Sequence, residues 1–178
     1  MKNTCYILLF VALAFFSCVD KNEKKHVNVV DKQMLKNTLE DVNRYLLQQE
    51  SKIIDDYICS QKLDFIRTGT GLRYVVTDMN EGDLIKQGDV VTIEYEISSL
   101  SGDVFYSSVN EGVKTFVVGR GGVESGLEEA ILKLRENESA ILIIPSHLAH
   151  GLVGDGNMIP AKTTLLYKLK VIENRSNN

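Results

Sequence analysis

The residues of this chain best placed to do chemistry lie in one run, 145–160, which reads Pro-Ser-His-Leu-Ala-His-Gly-Leu-Val-Gly-Asp-Gly-Asn-Met-Ile-Pro. Loops run over the surface, where bulky apolar groups are normally shed. This one keeps Met158, Ile159 and Pro160 at its tip, behind glycines at 151, 154 and 156. A long loop of that kind is better suited to wall a binding site than to span a gap. The chemistry it points to is binding against an apolar wall. No set of His, Cys and Asp residues has metal-ligand spacing,. Of Cys5, Cys18 and Cys59, only Cys59 lies in the body of the chain. One cysteine cannot staple a fold. Its helical pattern beside Ile54 and Ile58 predicts a small buried hydrophobe. Neither a metal nor a cofactor is expected.

The elements that must position this loop are legible in the apolar period. Residues 31–63 carry Leu35, Leu39, Val42, Leu46, Ile53, Tyr57 and Ile58 near helical spacing,. Asp31 is the predicted N-cap. No Gly or Pro falls between Asp31 and Thr68, so one long helix and two abutting ones both fit. The apolar repeat slips at 48–52 and holds no heptad. An amphipathic helix docked on its own domain is therefore favoured over a dimerisation helix.

From Thr70 the period becomes two. Residues 72–77 form a first predicted strand. Residues 91–97 put Val91, Ile93, Tyr95 and Ile97 on one face and Thr92, Glu94 and Glu96 on the other,. Ser101-Gly102-Asp103 turns into a strand at 104–107, and another covers 114–118. Residues 119–122 break it, and a short helix follows at 123–134 with Leu127, Ile131 and Leu134 on one side. The nearly all-apolar 139–144 is a predicted central strand, and 164–172 closes the sheet. The order predicts an α+β fold: an antiparallel sheet wrapped around one short helix, preceded by an N-terminal helical segment.

The chain opens like an exported protein. Lys2 precedes an apolar run at 6–16, which suits a signal peptide and is too short to span a bilayer,. Phe15-Phe16-Ser17-Cys18 is similar to the bacterial lipobox, with Phe15 at the usual leucine. Residues 1–17 are the predicted lipoprotein signal peptide, Cys18 the lipid attachment, and 18–30 a solvated tether of mixed charge. No later segment is apolar enough to cross a membrane, so a lipid would be the attachment. The expected location is the bacterial cell envelope, facing the periplasm or the cell surface. With 20 Lys+Arg against 24 Asp+Glu the formal net charge is −4 and no basic stripe occurs, which argues against a nucleic-acid partner,.

Several motifs stand in a fixed order. They are Gln87-Gly88-Asp89 ahead of Tyr95, Gly102-Asp103-Val104-Phe105-Tyr106-Ser107-Ser108, Gly126-Leu127-Glu128-Glu129-Ala130-Ile131, Pro145, Ala149-His150-Gly151, and Met158-Ile159-Pro160 ahead of Tyr167. In that order they resemble the FKBP-type peptidyl-prolyl cis-trans isomerases, from about Thr70 to Glu173. An isomerase domain over 67–175, behind a helical segment at 31–66, follows. A lipidated signal ahead of such a helix is similar to the gliding-motility-associated subgroup. The resemblance implies rotation about X–Pro bonds of proline-containing polypeptides. It places pocket walls on Tyr95, Phe105, Phe116, Val123, Ile159 and Tyr167, a floor on Leu127, and Met158 beside the loop tip. It gives the backbone N–H of Glu124 the carbonyl that precedes the rotating bond.

The chain departs from the family at four places. Tyr106 stands where an Asp is usual, Leu127 where a Trp is usual, His150 where a Tyr hydroxyl is usual, and Lys114 near a usual aromatic. These changes lower the expected activity and argue against tight binding of the family's macrocyclic inhibitors. His150 is no catalytic base in this reading, because the reaction moves no proton. The competing expectation is a non-catalytic peptide-binding or chaperone module on the same fold.

Overall fold

A computed structural model describes residues 27–176. The predicted signal peptide, Cys18 and most of the predicted tether lie outside the described residues. The chain divides into two compact units, Met1–Tyr45 and Leu46–Asn178. Helix α1 is continuous over Val27–Ser60, through the 48–52 slip in its apolar repeat. Asp31 is therefore inside the helix and not its N-cap. Leu35, Leu39 and Val42 are exposed. Cys59 is exposed as well, which corrects the expectation of a buried thiol: the last turn of α1 carries it to solvent.

Among the described residues, seven strands form one antiparallel sheet. They are β1 (Ile66–Arg67), β2 (Arg73–Asp78), β3 (Val90–Ser98), β4 (Val104–Ser107), β5 (Lys114–Val117), β6 (Ser139–Ile144) and β7 (Leu165–Arg175). The order is β1-β2-β6-β7-β3-β4, with β5 also on β3. Strand β3 pairs with β7 from Val90↔Arg175 to Ser98↔Leu166. Its other edge is shared: β5 takes Val90–Ile93 and β4 takes Glu96–Ser98. Between them the chain leaves the sheet as a short helix, α2 (Ser108–Glu111). There the Tyr95 N–H donates to the Ser108 hydroxyl at 3.1 Å, a side-chain substitute for the missing ladder bond. Four residues carry too little pattern to be read as a helix, and the sequence reading has none there.

Helix α3 (Ser125–Ile131) lies against one face of the sheet. Its Leu127, Ala130 and Ile131 are fully buried with Leu142, Ile144, Leu165 and Tyr167. Gly126 permits the close approach: a Cβ there would come within 2.4 Å of Ile144 Cγ2. The helix is shorter than the predicted 123–134, because hydrogen-bonded turns take over at Lys133 and Leu134. On the opposite face, Ile54 of α1 is buried with Ile143 and Leu166. Strand β6 is covered on both faces, which is why its sequence is a continuous apolar run. Burying each such side chain stabilises the fold by roughly 1.5–3 kcal/mol.

Candidate active site

The break in the β3 edge and the 145–164 loop face each other across a cleft of about 160 Å³. Tyr95, Ile97, Tyr106, Glu111, Lys114, Glu124, His150, Asp155 and Ile159 line it. Tyr95 and Ile97 come from the inward face of β3. Tyr106 comes from β4, and Glu111 and Lys114 flank the α2 excursion. Glu124 is the residue on which α3 opens.

The loop is held in shape by its own polar groups. Asp155 Oδ1 accepts the backbone N–H groups of Asn157 and Ile159, each at 2.9 Å. Its other oxygen accepts the Tyr106 hydroxyl, which in turn accepts the Asn157 amide at 3.1 Å. Gly154 is required beside it: φ is +74°, and a Cβ would meet the Ile159 carbonyl oxygen at 2.2 Å. Burial pushes the Asp155 carboxyl up, but the Tyr106 hydroxyl, the two N–H groups and His150 together hold it below its ordinary value. The same hydrogen bond, with burial, raises the Tyr106 hydroxyl. Tyr106 is thus tied back to the loop and lines the cleft instead of filling it.

A second polar group sits deeper. Glu124 Oε1 accepts the Tyr167 hydroxyl at 2.9 Å and lies 3.2 Å from His150 Nε2. Glu124 Oε2 is buried without a partner. Burial, and then the Glu124 carboxylate, push the Tyr167 hydroxyl well above its ordinary value of 10.0. The Tyr95 ring stands 6.5 Å from that of Tyr167. Burial, and then the carboxylates of Glu111 and Glu124, raise the Tyr95 hydroxyl. Lys114 places its ammonium 5.0 Å from the centre of the Tyr95 ring, a cation–π contact,.

Of the residues picked from the sequence, Tyr95, Tyr106, Glu124, His150 and Ile159 meet at this cleft. Tyr167 joins through its hydroxyl. Leu127 and Phe116 are buried in the core without bordering the cleft. Phe105 and Val123 are half-buried against that core, and Met158 is exposed on the loop. Sequence reasoning missed Asp155, Glu111, Ile97 and the Glu124 side chain. The Gly154-Asp155-Gly156 run is a turn signal that could have identified Asp155 as the loop's organiser. The walls are more polar than the resemblance implies. Among the described residues, no group of His, Cys, Asp and Glu could hold a metal ion.

Residues 70–172 match the family model described as FKBP-type peptidyl-prolyl cis-trans isomerase. The chain is 36% identical over 107 residues to a probable FKBP-type peptidyl-prolyl cis-trans isomerase FkpA of Neisseria meningitidis serogroup B, covering 60% of this chain and 39% of that protein. It is 33% identical over 104 residues to the FK506-binding protein 1A of Neurospora crassa, covering 57% of this chain and 87% of that one. The chain spans 39% to 66% of the length of the first curated relatives it matches. The crystal structure of AtFKBP13 is similar with a TM-score of 0.59 at 28% identity, over 62% of this chain and 98% of that one. That of FkpA from Escherichia coli is similar in fold, with a TM-score of 0.64 at 21% identity, over 100% of this chain and 84% of that one. With a match that starts ahead of β2, ends within β7 and covers more than half of the chain, this chain belongs to the FKBP-type peptidyl-prolyl cis-trans isomerase family.

Proposed function

We propose that the chain accelerates cis–trans interconversion of X–Pro bonds in exported polypeptides, and so assists their folding at the bacterial envelope. The barrier to this rotation is about 18–20 kcal/mol, and the uncatalysed change takes tens of seconds or more. A planar amide is stabilised by resonance and by water on its polarised carbonyl. The twisted amide is less polarised, so a site that removes this water penalises it less than the planar form. Tyr95, Ile97 and Ile159 supply apolar surface for the prolyl ring. The Glu124 N–H holds the carbonyl of the residue before the rotating bond. Catalysis is then differential binding of the twisted state, without a nucleophile or proton transfer.

The observation that carries this reading is the cleft of about 160 Å³ between Tyr95, Tyr106 and Ile159. A cavity of about 150 Å³ admits a ring the size of benzene, so the cleft has room for a prolyl ring. It is well below the roughly 300–1,000 Å³ of pockets that enclose drug-sized ligands. The test is relaxation of a short Leu-Pro peptide from cis to trans. Acceleration proportional to protein concentration supports the reading. No acceleration, with aggregation of an unfolded client still suppressed, favours the non-catalytic peptide-binding module. The charged groups beside Tyr95 are what speaks for that second reading.

The envelope setting rests on the apolar run at 6–16 and on Ser17-Cys18. In this proposal a lipid on Cys18 holds the chain to a membrane. Cys18→Ser should release it to the soluble fraction; persistence in membranes speaks against the anchor. The exposed Leu35, Leu39 and Val42 of α1 offer a face for a second copy of the chain. Sedimentation equilibrium with Leu39→Asp tests that pairing: a mass halved by the substitution supports it, and a monomeric parent chain rejects it.

A further inference from the structure

The loop that carries His150, Asp155 and Ile159 is gripped from outside the cleft, by a carboxylate on α1. Glu50 Oε1 accepts the Ser146 N–H and the Thr164 hydroxyl, each at 2.6 Å. Glu50 Oε2 accepts the Ser146 hydroxyl at 2.9 Å. Ser146 lies just after β6 and Thr164 just before β7. One side chain therefore holds both limbs of the loop, across sequence separations of 96 and 114 residues. Hydrogen bonds to an ionised acceptor are roughly twice as strong as neutral ones, and partial burial strengthens them further. Ser146 is only 8% exposed.

The grip is passed inward. The Ser146 carbonyl accepts the N–H groups of Ala149 at 3.1 Å and Gly151 at 2.8 Å, the two neighbours of His150. The Gly151 carbonyl accepts the Lys162 N–H at 2.8 Å, which ties the returning limb to the outgoing one. His150 then meets Glu124 in the cleft. The Ser125 hydroxyl donates to the Leu148 carbonyl at 3.1 Å and fixes the same turn against α3.

The sheet by itself already keeps the loop's roots together, since β6 and β7 pair up to Ile144↔Leu165. Glu50 is not needed to close the loop. What it adds is the direction in which both limbs leave the sheet. We propose that Glu50 is a positioning residue for the isomerase cleft, setting His150, Asp155 and Ile159 opposite Tyr95 through Ser146 and Thr164. This rests on the isomerase reading above, and it makes the second half of α1 part of the support of the active site.

The experiment uses the full chain in detergent. It compares kcat/KM for a Leu-Pro peptide, and amide hydrogen exchange at Gly151 and Lys162, in wild type, Glu50→Ala, Thr164→Val and Asp55→Asn. Ala at position 50 removes both acceptor oxygens from Ser146 and Thr164, whereas Gln could keep all three bonds by donating to the Ser146 hydroxyl,. Asp55→Asn weakens the tether of α1 to Arg73 without touching the loop. Glu50→Ala is expected to lower kcat/KM by about tenfold to a hundredfold, the scale of a misplacement near 1 Å. It should speed exchange at both amides while melting stays cooperative. Thr164→Val should give a smaller loss of the same kind. Asp55→Asn should lower the melting temperature and keep kcat/KM and loop exchange. Unchanged kcat/KM and exchange in Glu50→Ala overturn the proposal. So does an equal loss in Asp55→Asn, because docking of α1 as a whole would then be responsible. If Glu50→Ala does not fold, Thr164→Val decides, and wild-type values there reject the clamp. If wild type itself fails to accelerate the peptide, the isomerase reading falls, and the exchange rates alone still decide the role of Glu50.

Discussion

The two faces of the sheet are built by different means. On the α3 face, Leu127, Ala130 and Ile131 join inward residues of β3, β6 and β7 in one continuous apolar core. On the α1 face, the buried apolar cluster is small, centred on Ile54, Ile143 and Leu166. Polar side chains fix the rest of that contact. Arg73, 2% exposed, donates to Asp55 Oδ1 and the Ser51 hydroxyl, each at 2.7 Å, and to the Gly71 carbonyl at 2.6 Å. Glu50 takes the loop ends beside it. Non-directional burial drives the first face together, whereas directional hydrogen bonds set angle and register on the second. The cleft needs both. The apolar face places Tyr95 and Tyr167, and the polar seam aims the loop at them.

Substitutions should separate these contributions, and the largest effect belongs to the apolar face. Leu142→Ala leaves a cavity in the main core and is expected to cost about 3–5 kcal/mol, against about 2–3 kcal/mol for Ile54→Ala in the smaller cluster. Urea unfolding measures both; a larger cost at Ile54 would reverse the ranking of the two faces. Next comes Arg73→Met on the polar seam. Removing one partner of a buried pair costs about 3–5 kcal/mol, but Asp55 is half exposed and recovers water, so roughly 2 kcal/mol is expected,. A variant as stable as wild type would show that the seam directs without stabilising.

The smallest effect is one of pH, and it lies in the cleft. The folded chain holds the Tyr167 proton more tightly than the unfolded chain does, since its hydroxyl is raised above 10.0. The stability this gives is complete below about pH 10 and is lost as pH rises through the folded value. Tyr167→Phe should flatten the fall of stability on the alkaline side and leave Tyr95, also raised, as the remaining contributor. An unchanged alkaline slope would place the effect elsewhere.

The contrast between the faces also explains what was legible in the sequence. Period-two patterns in β3 and β7, and the apolar run of β6, record burial against α3, so the succession of elements along the chain and the fold class could be read. Strand β6 kept its predicted bounds, 139–144, because both its faces are covered. Ile159 was marked by the apolar tip of its loop, whereas Tyr95, Tyr106 and His150 were legible only through their resemblance to a family, since each alone reads as core or loop. The polar seam was not legible. Glu50 lies among other polar residues of an amphipathic helix, and nothing local marks a carboxylate that meets Ser146 and Thr164 a hundred residues on. Glu124 was read for its backbone alone, because a carboxylate on Tyr167 leaves no periodic trace. Cys59 was misread because the helical pattern gives spacing but not where the docked face ends.

The proposed catalysis depends most on the loop tip closing an apolar wall over the prolyl ring. Ile159 is 3% exposed and lines the cleft with Tyr95 and Tyr106. The most direct measurement is the cis-to-trans relaxation rate of a Leu-Pro peptide with wild type and with Ile159→Ala, each confirmed folded by cooperative unfolding. Acceleration by wild type and a loss of about tenfold or more in kcat/KM for the variant are expected. Equal acceleration by both folded proteins, or none by wild type, would contradict this mechanism.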